Sequence, residues 1–293
     1  MAATAAGKAP KLTGTPTGTT NMKNNKSLGQ HWLKDREILD EIADLAVPDS
    51  NFCAQKANLP PQNTPSEVTR GSLRPLCLEI GPGLGTLTSA LLRRFPRVWA
   101  IEFDENLAKN LPKSFPGKDL KVVNADFLNF DLSQIGEPYV VAGNIPYYIT
   151  SPIITKLLTA KVPPLKIVLL MQKEVAERIL AEQGRHTYLS IFVQNYANVF
   201  PGSTVPREYF TPPPKVDSAV VVFEPHPPFF TEKELKFVKA SFSNPRKKLI
   251  KNLPHNREEV QTALLKLGIS ENSRPADLSL KDWKGLAKIL KVI

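Results

Sequence analysis

Leu76-Cys77-Leu78-Glu79-Ile80-Gly81-Pro82-Gly83-Leu84-Gly85 is the stretch on which the fold turns. A short apolar run stopped by a glycine reads as a buried strand. The glycines after it let the backbone turn sharply and approach a ligand closely before a helix begins. Further apolar runs follow at Val98–Ile101, Leu120–Val123, Tyr139–Ala142 and Ile167–Met171, with helical periodicity between several of them. Strands alternating with helices predict a parallel sheet with crossover helices, the α/β class. Ser218–Phe223, which follows the proline-rich Thr211–Pro214, predicts a late strand that closes the sheet.

The flanks complete the organisation. Ile38, Leu39, Ile42, Ala43, Leu45 and Ala46 recur at helical spacing up to Pro48, which predicts an amphipathic helix over 35–47. Residues 1–25 are Ala, Thr, Gly, Lys, Pro and Asn with almost no large apolar side chains, and read as a disordered arm. Its Gly and Pro residues oppose the amphipathic helix of a transit peptide. Residues 48–75 are polar and proline-bearing, hence a loop. Beyond Pro225-His226-Pro227-Pro228, the periodicity of Leu235, Phe237, Val238, Leu249, Leu253, Val260, Leu264 and Leu265 predicts a small helical domain over 226–293. The main α/β domain then spans 26–225.

Composition excludes several classes. With 293 residues, 42% hydrophobic and 23% charged, and no apolar run near eighteen residues, the chain reads as soluble and globular, with no transmembrane span. Two cysteines (Cys53, Cys77) cannot build a disulfide framework, and His31, His186, His226 and His255 show no metal-ligand spacing. A reducing, cytoplasmic setting and a metal-free site are expected. The net charge of +10 is unevenly placed: +5 in residues 1–34, −2 in 35–225 and +7 in 226–293. Positive ends around a neutral middle suggest a polyanion gripped by the flanks.

The glycine turn has the spacing G-x-G-x-G after an acidic residue, one place shorter than the dinucleotide fingerprint G-x-G-x-x-G. That spacing suits S-adenosylmethionine better than NAD and disfavours a nicotinamide oxidoreductase. Glu102 ends the next strand, 21 residues after Gly81, where a carboxylate can accept both ribose hydroxyls. Asp126, in Asn124-Ala125-Asp126-Phe127, can accept from an adenine amine, with Phe127 or Leu128 covering the ring. Each acid alone could be a solvated residue or a helix cap; the agreement of three strand ends carries the reading.

Asn144-Ile145-Pro146-Tyr147, with Tyr148 behind it, follows the fourth strand at the carboxyl edge of the sheet. An exocyclic adenine amine is a poor nucleophile because its lone pair is delocalised into the ring. The Asn144 side-chain oxygen and the Ile145 carbonyl can accept its two hydrogens, making the nitrogen more tetrahedral and aiming it at a sulfonium methyl. Pro146 stiffens the carbonyl's direction, and Tyr147 offers a face for a base taken out of its stack.

With these residues in place the chain resembles the small-subunit (16S) ribosomal RNA adenine N6-dimethyltransferases, the KsgA or RsmA family, from about Lys26 to Leu290. Ser27-Leu28-Gly29-Gln30-His31-Trp32-Leu33 is similar to the family's G-Q-[NH]-F-L, with Trp for the usual Phe. The resemblance implies a Rossmann-like class I methyltransferase sheet and a cofactor held by His31, Leu33, Gly81, Glu102, Asp126 and Asn144. Met171-Gln172-Lys173-Glu174-Val175-Ala176-Glu177-Arg178 matches another family stretch. Tyr209-Phe210-Thr211-Pro212-Pro213-Pro214-Lys215-Val216-Asp217-Ser218 matches a further one, and implies that Phe210 packs on the target base opposite Tyr147.

Phe242-Ser243-Asn244-Pro245-Arg246-Lys247-Lys248-Leu249-Ile250-Lys251-Asn252-Leu253 resembles F-x-x-[RK]-R-K-x-L-x-N-x-L, so Arg246, Lys247, Lys248 and Lys251 are expected to meet RNA phosphates. Arg274-Pro275-Ala276-Asp277-Leu278-Ser279-Leu280 looks like the closing R-x-x-x-L-S, a turn and cap. The arm and the 48–75 insertion depart from the pattern. The implied activity is transfer of four methyl groups to two adjacent adenosines in the 3′-terminal hairpin of small-subunit rRNA, by a monomer that also serves subunit biogenesis. The alternatives are the erythromycin-resistance type, which acts on one large-subunit adenosine, and an assembly or transcription factor that has lost turnover. The G-Q-H-W-L opening, the T-P-P-P-K-V-D-S run and the R-K-K-L tail favour the first reading over the resistance type, and intact Asn144, Pro146 and Tyr147 argue against lost chemistry.

Overall fold

The computed structural model describes residues 31–48 and 75–292. The 1–25 arm, Ser27–Gln30 of the opening motif and nearly all of the 48–75 segment, Cys53 included, lie outside the described residues. In chain order the elements are β1 (Trp32–Leu33), α1 (Arg36–Ala46), β2 (Leu76–Ile80), α2 (Thr86–Leu91), β3 (Val98–Glu102), α3 (Glu105–Asn110), β4 (Leu120–Asn124) and β5 (Tyr139–Asn144). Then come α4 (Thr150–Leu158), β6 (Ile167–Gln172), α5 (Lys173–Ile179), α6 (Tyr188–Tyr196), β7 (Ala197–Val205), β8 (Phe210–Thr211), β9 (Ser218–Pro225), α7 (Glu232–Ser241), α8 (Arg257–Lys266) and α9 (Leu280–Ile289). Asp35 starts α1 by accepting the Ile38 N–H at 3.0 Å, a cap worth about 1 kcal/mol.

A seven-stranded sheet runs in the order β4-β3-β2-β5-β6-β9-β7. The first five strands are parallel, whereas β9 is antiparallel to both β6 and β7. The apolar runs arise because helices cover both faces. Leu76, Leu78 and Ile80 enter one buried cluster with Phe127 and Ile153, while Cys77 enters another with Ile42 and Leu91. The strand order reverses between β2 and β5, which opens a crevice at their carboxyl ends. Gly81 and Asn144 stand at that crevice, with Glu102 and Asp126 at the ends of the neighbouring strands.

One expectation needs correction. The strand at Ser218 does not close the sheet; β7 lies outside it as the edge. Pro201 and Gly202 interrupt the strand pattern of β7, and the register shifts between Pro201 and Thr204. An edge strand tolerates a proline because one row of its N–H groups has no partner to lose. Gly202 is needed for space, since a Cβ there would stand 2.9 Å from Val220 Cβ.

A third buried cluster gathers Trp283, Phe237, Val238, Leu249 and Val260 from the C-terminal helices, together with Ile191 of α6. Helices α7 and α9 both begin with capping boxes, Thr231 with Glu234 and Ser279 with Asp282. Lys284 joins them, its Nζ lying 2.6 Å from Glu234 Oε2.

Candidate cofactor and target-base site

The turn after β2 takes left-handed backbone at Gly81, Gly83 and Gly85, with φ of +66°, +57° and +83°. Space is tight as well: a Cβ on Gly85 would meet Leu111 Cδ1 at 2.6 Å, and one on Gly83 would meet the Trp32 indole at 3.0 Å. The turn therefore depends on glycine for both conformation and room.

Three carboxylates share a cavity with it. Glu102 is 5% exposed. Its Oε2 accepts the Gly83 N–H at 3.0 Å and its Oε1 the Asp104 N–H at 2.9 Å, so it fixes the turn it faces. Burial raises its carboxyl above the ordinary range, against the pull of those N–H groups. Asp126 accepts from the Leu128 N–H at 2.9 Å and from the Asn129 side chain at 3.0 Å. The third carboxylate, Glu79, is 1% exposed. Its Oε2 takes a 2.6 Å bond from the Thr88 hydroxyl, while Oε1 has no partner among the described residues. Burial pushes this carboxyl up to about 8, partly offset by the Thr88 bond, with Glu102 adding to the rise.

At the end of β5, Asn144 donates its amide N–H to the His31 carbonyl at 3.0 Å. The side-chain oxygen makes no hydrogen bond to another described residue, and Asn144 lines the cavity. His31 is itself held: its Nδ1 lies 2.7 Å from the Pro212 carbonyl, and its ring stacks on Tyr147 with centroids 5.9 Å apart and planes 22° apart. The Tyr147 hydroxyl is 2.8 Å from Ser218 Oγ. Pro146, at φ −59° and ψ 134°, sets the path from Ile145 into the next turn. Helix α4 then sends Lys156 back to the loop after β4, where its Nζ donates to the carbonyls of Leu128 at 2.7 Å and Phe130 at 2.5 Å.

One cavity is lined by His31, Leu33, Gly81, Glu102, Asp126, Asn144, Ile145, Pro146 and Tyr147, all residues singled out in the sequence. Phe210 is the exception. It is 2% exposed, packs in the cluster of Leu33 and Leu39 and does not line the cavity. Pairing of β1 with β8 sets Leu33 opposite Phe210, and both side chains turn into the core. The expected position of Phe210 over a target base is therefore not seen here. Sequence spacing gives Glu79 no role beyond its place before the glycine motif, and gives none to Thr88, Ser218 or Lys156. A lone acid in an otherwise apolar strand was the available signal for Glu79; the other three become visible only through contacts across the fold.

Arg246, Lys247, Lys248 and Lys251 are all exposed, beside the C-terminal cluster. The Asn252 side chain donates to the carbonyls of Ser241 and Asn244 and braces the turn that carries the first three. Lys248 Nζ lies 2.5 Å from Asn272 Oδ1. Among the described residues no cluster of His, Cys, Asp and Glu could hold a metal, and no helix is long and apolar enough to cross a membrane.

A glycine turn at the strand-order reversal, with acids on the adjoining strand ends, places the fold among class I methyltransferases. Its likeness to a solved 23S rRNA methyltransferase, ErmE, has a TM-score of 0.68 at 28% identity and covers 89% of this chain and 99% of that one. A dimethyladenosine transferase from Plasmodium falciparum gives 0.71 at 27% identity, over 89% and 98%. The chain belongs to the ribosomal RNA adenine dimethylase family, whose profile matches residues 21–291. Among curated relatives, the ribosomal RNA small subunit methyltransferases A of Geobacillus thermodenitrificans and Geobacillus kaustophilus are each 36% identical to it over 90% of both chains.

Proposed function

We propose that this protein dimethylates N6 of two adjacent adenosines in the 3′-terminal hairpin of small-subunit rRNA, using S-adenosylmethionine, as a cytoplasmic monomer acting during subunit assembly. The observation that carries the reading is Asn144. Its amide nitrogen is tied to the His31 carbonyl, which leaves its oxygen free to accept from a ligand, and the residue lines the same cavity as the glycine turn and the acids. Similarity to small-subunit methyltransferases over 90% of both chains supports this substrate over large-subunit rRNA.

The residues fit the cofactor. Gly81 and Gly83 leave bare backbone at the turn, Glu102 and Asp126 offer acceptors for ribose and adenine, and the orphaned Glu79 Oε1 suits the ammonium of an amino-acid moiety. Bound there, S-adenosylmethionine supplies an electrophilic methyl carried on a sulfonium.

The protein's part is to bind, orient and exclude water. The Asn144 oxygen and the Ile145 carbonyl accept the two amine hydrogens of the target base, which draws its nitrogen lone pair out of conjugation. Tyr147, fixed between His31 and Ser218, presents the platform on which the base rests. After one transfer the amine keeps a single N–H, so one acceptor suffices to orient it for the second. No strong base is needed, because the product nitrogen sheds its proton readily to water. Exposed Arg246, Lys247, Lys248 and Lys251 supply phosphate contacts whose strength falls with salt. The test is methyl transfer to under-methylated small subunits with mapping of the modified nucleotides. Product on large-subunit rRNA alone would point to the resistance-type activity.

A further inference from the structure

A second recess lies away from the cavity, where α6 meets α7. It is lined by Tyr188, Lys236, Lys239, Ala240, Phe242 and Ser243. Four of these, Lys236, Lys239, Ala240 and Ser243, follow one another at helical spacing along one face of α7 and its extension. The floor is aromatic: the Tyr188 and Phe242 rings sit 6.4 Å apart and tilted by 54°, and Phe242 rests 6.1 Å from the fully buried Trp283. Tyr188 is only half-buried.

The two lysines differ. Lys236 is paired with Glu232 at 2.6 Å. Lys239 has no carboxylate partner among the described residues, and its ammonium hovers 5.8 Å above the Tyr188 ring. An unneutralised cation on a flexible stem beside a half-buried aromatic ring is the chemistry that takes a base and its phosphate together. Along the chain, Ser243 of the recess is followed within three to five residues by the exposed Arg246, Lys247 and Lys248.

We propose that this recess seats one unstacked nucleotide of the bound RNA, with its base on the Tyr188 ring and against the Phe242 edge, and its phosphate on Lys239. The site rests on the reading of the protein as an rRNA methyltransferase and extends the RNA path beyond the basic turn onto α6. Lys239 would swing from the ring to the phosphate as the base arrives, so one residue keeps the aromatic face covered in the free protein and neutralises charge in the complex.

The test uses the full chain and an RNA fragment of the small-subunit 3′ end, with affinity followed across salt concentrations. Lys239→Ala should lower the slope of log affinity against log salt by about 0.7, the loss of one single-strand phosphate contact. Tyr188→Leu should weaken binding about tenfold, as expected for one lost stacking contact, whereas Tyr188→Phe should bind as the wild type does. Cofactor affinity should be the same in all three. A wild-type slope in Lys239→Ala, which changes only an exposed side chain, overturns the proposal even if Tyr188→Leu folds poorly. If wild-type protein methylates rRNA while Lys239→Ala keeps its slope, the recess alone is refuted. If the wild type binds no rRNA, the functional reading and the recess fall together.

Discussion

Glu79→Gln should stabilise the cofactor-free protein at alkaline pH while weakening its hold on the cofactor. The Glu79 carboxyl titrates near 8 in the fold against 4.5 for an ordinary glutamate. Between those values the native state holds a proton that the unfolded chain has released, so stability falls as pH rises through the window. At about 1.4 kcal/mol per pH unit, the shift amounts to a ceiling of about 5 kcal/mol lost by pH 9. Glutamine is neutral at every pH, keeps an acceptor for the Thr88 hydroxyl and fills nearly the same volume. Denaturant unfolding of both proteins at pH 5 and pH 9, without cofactor, measures the effect. The variant should match the wild type within about 1 kcal/mol at pH 5 and exceed it by several at pH 9. In the same variant, cofactor affinity should drop, because a glutamine amide has no proton to release and cannot become the anion that an incoming ammonium would pair with. Parallel stability curves across this window would refute the assignment of a buried, proton-holding Glu79.

Other substitutions separate the parts of the site. Asn144→Ala should cut kcat by about 10²–10³, as loss of one preorganised polar contact does, with RNA affinity kept; turnover within a few-fold of wild type would remove the proposed mechanism. Glu102→Ala should weaken cofactor binding at least tenfold, seen by calorimetry, because it removes both the proposed ribose acceptor and the anchor of the Gly83 N–H. Lys156→Met should raise KM for the cofactor more than KM for RNA, since the carbonyls it holds belong to the loop that carries Asp126. Equal changes in both KM values would show that the lysine does not act through that loop.

What the sequence disclosed follows the range of the interactions involved. The glycine turn, the Glu102 spacing and the Asn144–Tyr147 tetrapeptide are local patterns, each at the end of a strand whose apolar run is plain. All of them come together in one cavity, because the reversal of strand order between β2 and β5 gathers those ends. Strand β7 was hidden because Pro201 and Gly202 break its pattern and only its pairing with β9 makes it a strand. The family resemblance sets Phe210 over the target base, yet its burial is decided by a partner strand 177 residues away, where Leu33 pairs with it. Glu79 was read as part of a glycine motif; its raised carboxyl depends on how deeply β2 is buried, which no spacing records. Ser218 and Lys156 act across the fold, on Tyr147 and on the Asp126 loop, and their roles are written only in three dimensions.

The most direct test of the account is methyl transfer from labelled S-adenosylmethionine to under-methylated small subunits and, separately, to large-subunit rRNA, followed by mapping of the product. The account predicts N6-dimethylation of two neighbouring adenosines near the small-subunit 3′ end, lost in Asn144→Ala. Methylation of large-subunit rRNA alone, or tight cofactor and RNA binding with no transfer to either, would contradict it.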